Sequence, residues 1–176
     1  MPSYVKNLSV YLFIAKLNLI GVNLYMVKLP SSSKWEDEKI NGNVMLYANK
    51  YVFSNLNDSG LTLFVKGPLN NVIMPGDCKY TNVEGQANEA IDKLNAENRD
   101  LKLVIPHHGG NAGKNVTFKV PSAVAVDGYI SVGKKNSYKH PTKAVVAVLK
   151  GVLRSIKMTK YVKDRAKGKE YIKVGI

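Results

Sequence analysis

Apolar and polar positions alternate in short runs along most of this chain, and two stretches instead repeat every three or four residues. Asn43-Val44-Met45-Leu46-Tyr47-Ala48 reads as a strand, with a turn near Asn49-Lys50 and Tyr51-Val52-Phe53 pairing back on it. Asn57-Asp58-Ser59-Gly60 is a turn by composition, and Leu61 to Val65 and Asn71 to Met74 flank Gly67-Pro68 as a hairpin. Leu101 to Ile105 is a strand stopped by Pro106, and Tyr129 to Val132 is another. Asn115 to Val126 is ambiguous between strand and short helix. Helical spacing appears in Ala87, Ala90, Ile91 and Leu94, behind a capping box at Thr81-Asn82-Val83-Glu84. It appears again from Thr142 onward, in Val145, Val148, Leu149, Val152 and Ile156.

The flanks are less regular. Leu8 to Ala15 is apolar but too short to cross a bilayer, which needs roughly 20 apolar residues, so a buried strand or helix is expected there. Gly21 to Val27 looks like a strand, residues 31 to 43 read as a polar surface excursion, and Tyr161 to Val174 reads as a closing hairpin. Strands with interspersed helices make the chain α/β or α+β, and 176 residues suit a single domain.

Composition narrows the setting. One cysteine, Cys78, rules out an intrachain disulfide, and a cytoplasmic location is the expectation. Lys+Arg total 26 against 13 Asp+Glu, a net charge of +13 that attracts nucleic acid, other polyphosphates or anionic membrane, or else simply solvates the surface. Only Arg99, Arg154 and Arg165 are arginines, which suits non-specific phosphate attraction better than base-edge readout.

Three polar phrases each follow an apolar strand: Met74-Pro75-Gly76-Asp77, Ile105-Pro106-His107-His108-Gly109-Gly110, and Ile130-Ser131-Val132-Gly133 through Asn136, Tyr138 and His140-Pro141. All three histidines lie in two of them, so these phrases are expected to emerge together at one sheet edge, as a metal or phosphate site built on loops requires. Asp77 either binds a hard cation or caps its own loop. Cys78 is a soft ligand or an inert core thiol. Adjacent histidines on extended backbone face opposite sides, so at most one of the pair faces a ligand while the other packs or supports it, or else the pair is satisfied structurally. Gly109 and Gly110 let the loop approach a ligand closely. Lys134, Lys135, Lys139 and Lys143 surround His140 and favour an anionic substrate, or form a solvated basic loop. Pro141 suits a first helical turn.

Taken in order, these phrases resemble the metallo-β-lactamase superfamily, and within it the hydrolase domain of competence DNA-uptake channels (the ComEC type). Asn57 to Leu63 is similar to that branch's turn before its central strand, with Ser59 and Gly60 departing from the usual Asn-Ser. The segment from Thr159 through Asp164, Gly168 and Ile172 resembles its final hairpin. The resemblance implies a four-layer αββα sandwich with zinc or manganese at one sheet edge and a metal-bound hydroxide that attacks phosphorus or a carbonyl, and the charge of +13 favours a phosphodiester or nucleic acid as substrate. It implies metal ligation by Asp77 and His140, and site-lining and catalytic support by His107 and His108; in the same loop as His140, Lys134, Lys135, Asn136 and Lys139 are expected to bind the substrate. The family's His-x-His-x-Asp-His signature is absent, since no histidine precedes His107. The expectation is therefore the C-terminal half of such a domain, spanning residues 1–176. It is completed by a second chain or copy, or remodelled into a metal-free binding module.

Overall fold

The computed structural model describes residues 35–49, 57, 60–112, 116, 118–133 and 136–159. Within them a single seven-stranded sheet runs in chain order: β1 (Trp35–Asn41), β2 (Val44–Asn49), β3 (Leu61–Lys66), β4 (Asn70–Met74), β5 (Arg99–Val104), β6 (Ala123–Ile130) and β7 (Ser155–Met158). Two helices interrupt it, α1 (Tyr80–Lys93) and α2 (Lys143–Val152). β1 to β4 are antiparallel and β4 to β7 are parallel. The class is thus mixed α/β. No helix among the described residues is long and apolar enough to cross a membrane.

The register gives the sheet two unlike faces. Met45, Phe64, Ile73, Leu103 and Gly128 are aligned partners on one face, and that face joins Val83, Ala87, Ile91, Val145 and Leu149 in one buried core. Both helices therefore cover the same side. Gly128 is required there, because a Cβ would lie 2.7 Å from Leu153 and 3.0 Å from Ile105. On the other face the aligned row is Val44, Val65, Val72, Lys102, Asp127 and Ser155, which turns from apolar to charged as the strands turn parallel. Asp127 is buried and accepts from Lys102 Nζ at 2.9 Å, from Ser155 Oγ at 2.7 Å and from the Arg154 guanidinium. These donors satisfy a carboxylate whose isolated burial would be prohibitive.

The hairpin around Gly67-Pro68 forms as expected, closed by Gly67 N–H to the Asn70 carbonyl at 3.0 Å. Five expectations need correction. Residues 31 to 43 are not all surface excursion: Trp35–Asn41 is the edge strand of the sheet among the described residues, anchored by Trp35 Nε1 donating to Glu89 at 3.0 Å and by the indole packed on Gly85. The capping box does not form. Lys79 is the N-cap, while Glu84 instead accepts from the Lys119 N–H, and at the start of α1 the Tyr80 N–H donates to the Ala112 carbonyl at 3.5 Å with the Tyr80 side chain fully buried. The ambiguous stretch becomes strand from Ala123, and the strand expected at Tyr129 to Val132 ends at Ile130. Ile156 belongs to β7, because α2 stops at Val152 and the Arg154 N–H bonds the Val126 carbonyl. The helical stripe is also narrower than expected, with Val145 and Leu149 buried but Val148 and Val152 exposed. Thr142 does cap α2, accepting from Val145 N–H at 3.3 Å. Leu8 to Ala15, Gly21 to Val27, Tyr51 to Phe53, Lys134, Lys135 and the closing hairpin lie outside the described residues.

Candidate functional site at the carboxyl edge of the parallel strands

In a parallel sheet the loops that follow the strands open on one edge, where ligands of α/β folds bind. Here β4 leads to Asp77, β5 to His107 and His108, β6 to the segment from Ser131 to His140, and β7 to Thr159. The structure accordingly places the expected phrases at one rim.

The loops are tied to one another by backbone bonds. The His107 N–H donates to the Gly76 carbonyl at 3.1 Å, and the Thr142 N–H donates to the Gly109 carbonyl at 3.0 Å. Pro106–Gly109 is a tight turn in which His107 and His108 both take left-handed backbone, φ 50° and 53°. Lys139 does the same at φ 58°. Three non-glycine residues in this sparsely populated region, clustered at one rim, mark stored strain of the kind found at ligand sites.

The left-handed turn, rather than the expected extended backbone, sends the two histidines apart. The His107 ring meets the His140 ring edge-on, with centroids 5.2 Å apart, and its Nδ1 lies 3.3 Å from the Asn57 amide nitrogen. The His108 Nδ1 lies 2.6 Å from the Ser131 carbonyl oxygen. A carbonyl oxygen only accepts, so that contact puts a proton on Nδ1, and in the neutral imidazole Nε2 is then the acceptor. The glycines also act differently than expected. A Cβ on Gly110 would come within 2.6 Å of both His107 and His140, and one on Gly109 within 2.6 Å of Pro141. The close approach is to the protein's own rings. Pro141 lies outside α2, just before its N-cap Thr142.

His140 is held by Asn136, whose side-chain oxygen accepts from the His140 N–H at 2.7 Å and whose nitrogen donates to the His140 carbonyl at 2.8 Å. Asn136, expected to bind substrate, lines the cavity with its amide engaged by its own loop. Burial pushes the His140 imidazole below its usual value, helped by His107 and His108 and opposed by Asp77. It is therefore neutral at pH 7, and its Nδ1 is buried without a partner among the described residues. Asp77 is half-buried, Lys139 is exposed, and Cys78 is fully buried with its thiol 3.7 Å from the Lys79 carbonyl.

Two cavities flank His108 and Ser131. One of about 380 Å³ reaches Asn136, Tyr138, His140 and Thr159, and the other, about 390 Å³, reaches Asn57, Gly76 and Asp77. Thr159 and Asn57 were not singled out as site residues by sequence reasoning, and Ser131 entered only as part of the third phrase. Thr159, whose hydroxyl accepts from the Val132 N–H at 2.8 Å, begins the segment that carries the resemblance, and that was its only signal. The donors suit zinc or manganese in kind, being imidazole and carboxylate. They fall short in number: among the described residues no three His, Cys, Asp or Glu side chains are grouped to hold one ion, where zinc takes about four ligands. Comparison with protein-family models, with curated proteins and with solved structures finds no match for this chain.

Proposed function

We propose that the carboxyl edge of β4 to β7 is the site of a metallo-β-lactamase-type hydrolase acting on phosphodiesters, with nucleic acid as the substrate class. The observation that carries this reading is the convergence of Asp77, His108 and His140 on two cavities that meet at His108 and Ser131, with the His107 ring packed edge-on against His140. The net charge of +13 supports a polyanionic substrate. Asp77 and His140 contribute to a divalent cation, zinc or manganese, whose chemistry is to polarise a phosphoryl oxygen and to acidify water. The remaining ligands come from outside the described residues or from another chain.

The chain's own residues have definite parts in this reading. His108, fixed through Nδ1 by the Ser131 carbonyl, presents Nε2 toward the cavities to accept a proton from water or to hydrogen-bond a phosphoryl oxygen. Asn136 and Gly110 keep His140 in place, and Lys139 with Lys134 and Lys135 attracts phosphate. The test is cleavage of a fluorophore-labelled single strand, with zinc, with manganese and with chelator. Expected is metal-dependent cleavage that falls at least about 100-fold in Asp77→Ala and His140→Ala, the size set for losing a metal-site group. Cleavage indifferent to both substitutions and to chelator would overturn the reading.

The donor count favours a second reading, a metal-free module that binds nucleic acid without cutting it. Retained strand binding with no bound metal and no cleavage would select it. The expected completion of the fold by a second copy has support in the face opposite the helices, where Leu61 and Met74 are exposed at 47% and 38%. Light scattering that finds only monomer would exclude such a pairing.

A further inference from the structure

Resting on the phosphodiester reading above, we infer that Tyr138 is a stacking platform for an unpaired nucleobase, which makes the site selective for single-stranded over duplex nucleic acid. Of the large hydrophobic side chains exposed among the described residues, Tyr138 is the only aromatic one and, at 80%, the most exposed. It has no core to fill. Yet its loop is tightly built: Asn136 brackets His140 through two side-chain bonds, and the Lys139 N–H donates to the Asn136 carbonyl at 3.3 Å. Lys139 accepts left-handed backbone to close the turn. These constraints hold the Tyr138 ring nearly parallel to His140, at 18° with centroids 6.0 Å apart, on the rim of the 380 Å³ cavity.

An aromatic face open to solvent, held at the mouth of a cavity with ample room for a phosphate group and beside an exposed lysine, is what a base and its neighbouring phosphate require. Stacking tolerates any base, because each has a π-face, and it needs the base unpaired. The two recognition elements are then separable: Tyr138 takes the base, and the cavity with Lys139 takes the phosphate. Bases in a duplex are stacked on one another and cannot reach the ring without being displaced.

The test is fluorescence anisotropy on the full chain with three probes: a short oligothymidylate, an abasic strand of the same length and charge, and a duplex. Wild type is expected to bind the thymidylate at least about tenfold more tightly than the abasic strand, the size of one stacked base. Tyr138→Ala removes that preference and leaves abasic binding unchanged, while Tyr138→Phe keeps it. Since the side chain is 80% exposed, neither substitution disturbs the core. Equal wild-type affinity for the thymidylate and abasic strands, or a preference that survives Tyr138→Ala, overturns the stacking role and leaves the phosphodiester site standing. No binding of any probe overturns both.

Discussion

The antiparallel half of the sheet, β1 to β4, and the parallel half, β4 to β7, share one hydrogen-bonded ladder but divide the labour between them. The antiparallel half turns back through short connections such as Gly67-Pro68, and none of its connections among the described residues carries a histidine. Its outer face is apolar, through Val44, Val65 and Val72. In the parallel half each strand must travel back through a crossover, so its loops collect at one edge, and all four of them contribute to the cavities. Its outer face is held by charge, through Lys102, Asp127 and Arg154. From the antiparallel half, among the described residues, the β2–β3 connection reaches the second cavity through Asn57 and Gly60. Apart from that connection, the change of strand direction at β4 separates scaffold from chemistry, and the two halves should fail in different ways.

The largest effect is expected in the apolar half. Phe64→Ala empties a fully buried position at the centre of the core and should cost about 4 kcal/mol. Urea unfolding should show the same loss at pH 5 and pH 7, since no charge is involved. Asp127→Ala should cost about 3 kcal/mol at pH 7, because it strips the nearly buried Lys102 ammonium of its closest carboxylate. Here the loss depends on pH. The Arg154 hydrogen bond, with Lys102 and Ser155, outweighs desolvation and holds the Asp127 carboxyl well below the usual carboxylate range. A depressed folded pKa gives stability that is full above the unfolded value of about 3.9 and lost as pH falls through it toward the folded value. The wild-type urea midpoint should drop as pH falls below about 4, and the Asp127→Ala midpoint should drop less over the same range. A flat wild-type profile there would remove the charge-held half from the comparison.

Smaller effects sharpen the site. Gly110→Ala forces a Cβ to within 2.6 Å of two imidazoles and should cost about 2 kcal/mol while lowering strand affinity, read by urea unfolding and anisotropy together. Thr142→Ala removes the α2 cap and should cost about 1 kcal/mol, with unchanged strand affinity.

Much of this division was legible from residue order. The β3–β4 hairpin showed in its paired apolar runs and Gly67-Pro68, and both helices in their three-to-four spacing. The rim showed because Asp77, His107 and Ser131 each follow an apolar run. What stayed hidden depended on long-range contact. β1 reads as polar because an edge strand exposes most of its side chains, and only the Trp35 contact with Gly85 and Glu89 reveals its seat. The middle of β6 is masked by Asp127, whose burial makes sense only beside Lys102 and Arg154, about twenty-five residues away in each direction. Gly110 was expected to make room for a ligand, and the atoms it makes room for are those of His107 and His140. Ser131 and the Thr142 amide act through the backbone, which leaves little trace in side-chain identity.

The comparison has a built-in pair of reporters, because the one tryptophan lies in the antiparallel half and all three histidines lie at the parallel edge. Nuclear magnetic resonance of the full chain, titrated with a short single strand, can follow the Trp35 indole N–H and the imidazole C–H signals in one experiment. The account predicts that the signals of His107, His108 and His140 shift together and saturate while the Trp35 signal stays still. A Trp35 signal that moves while the three imidazoles do not would place the binding surface on the other half and contradict it.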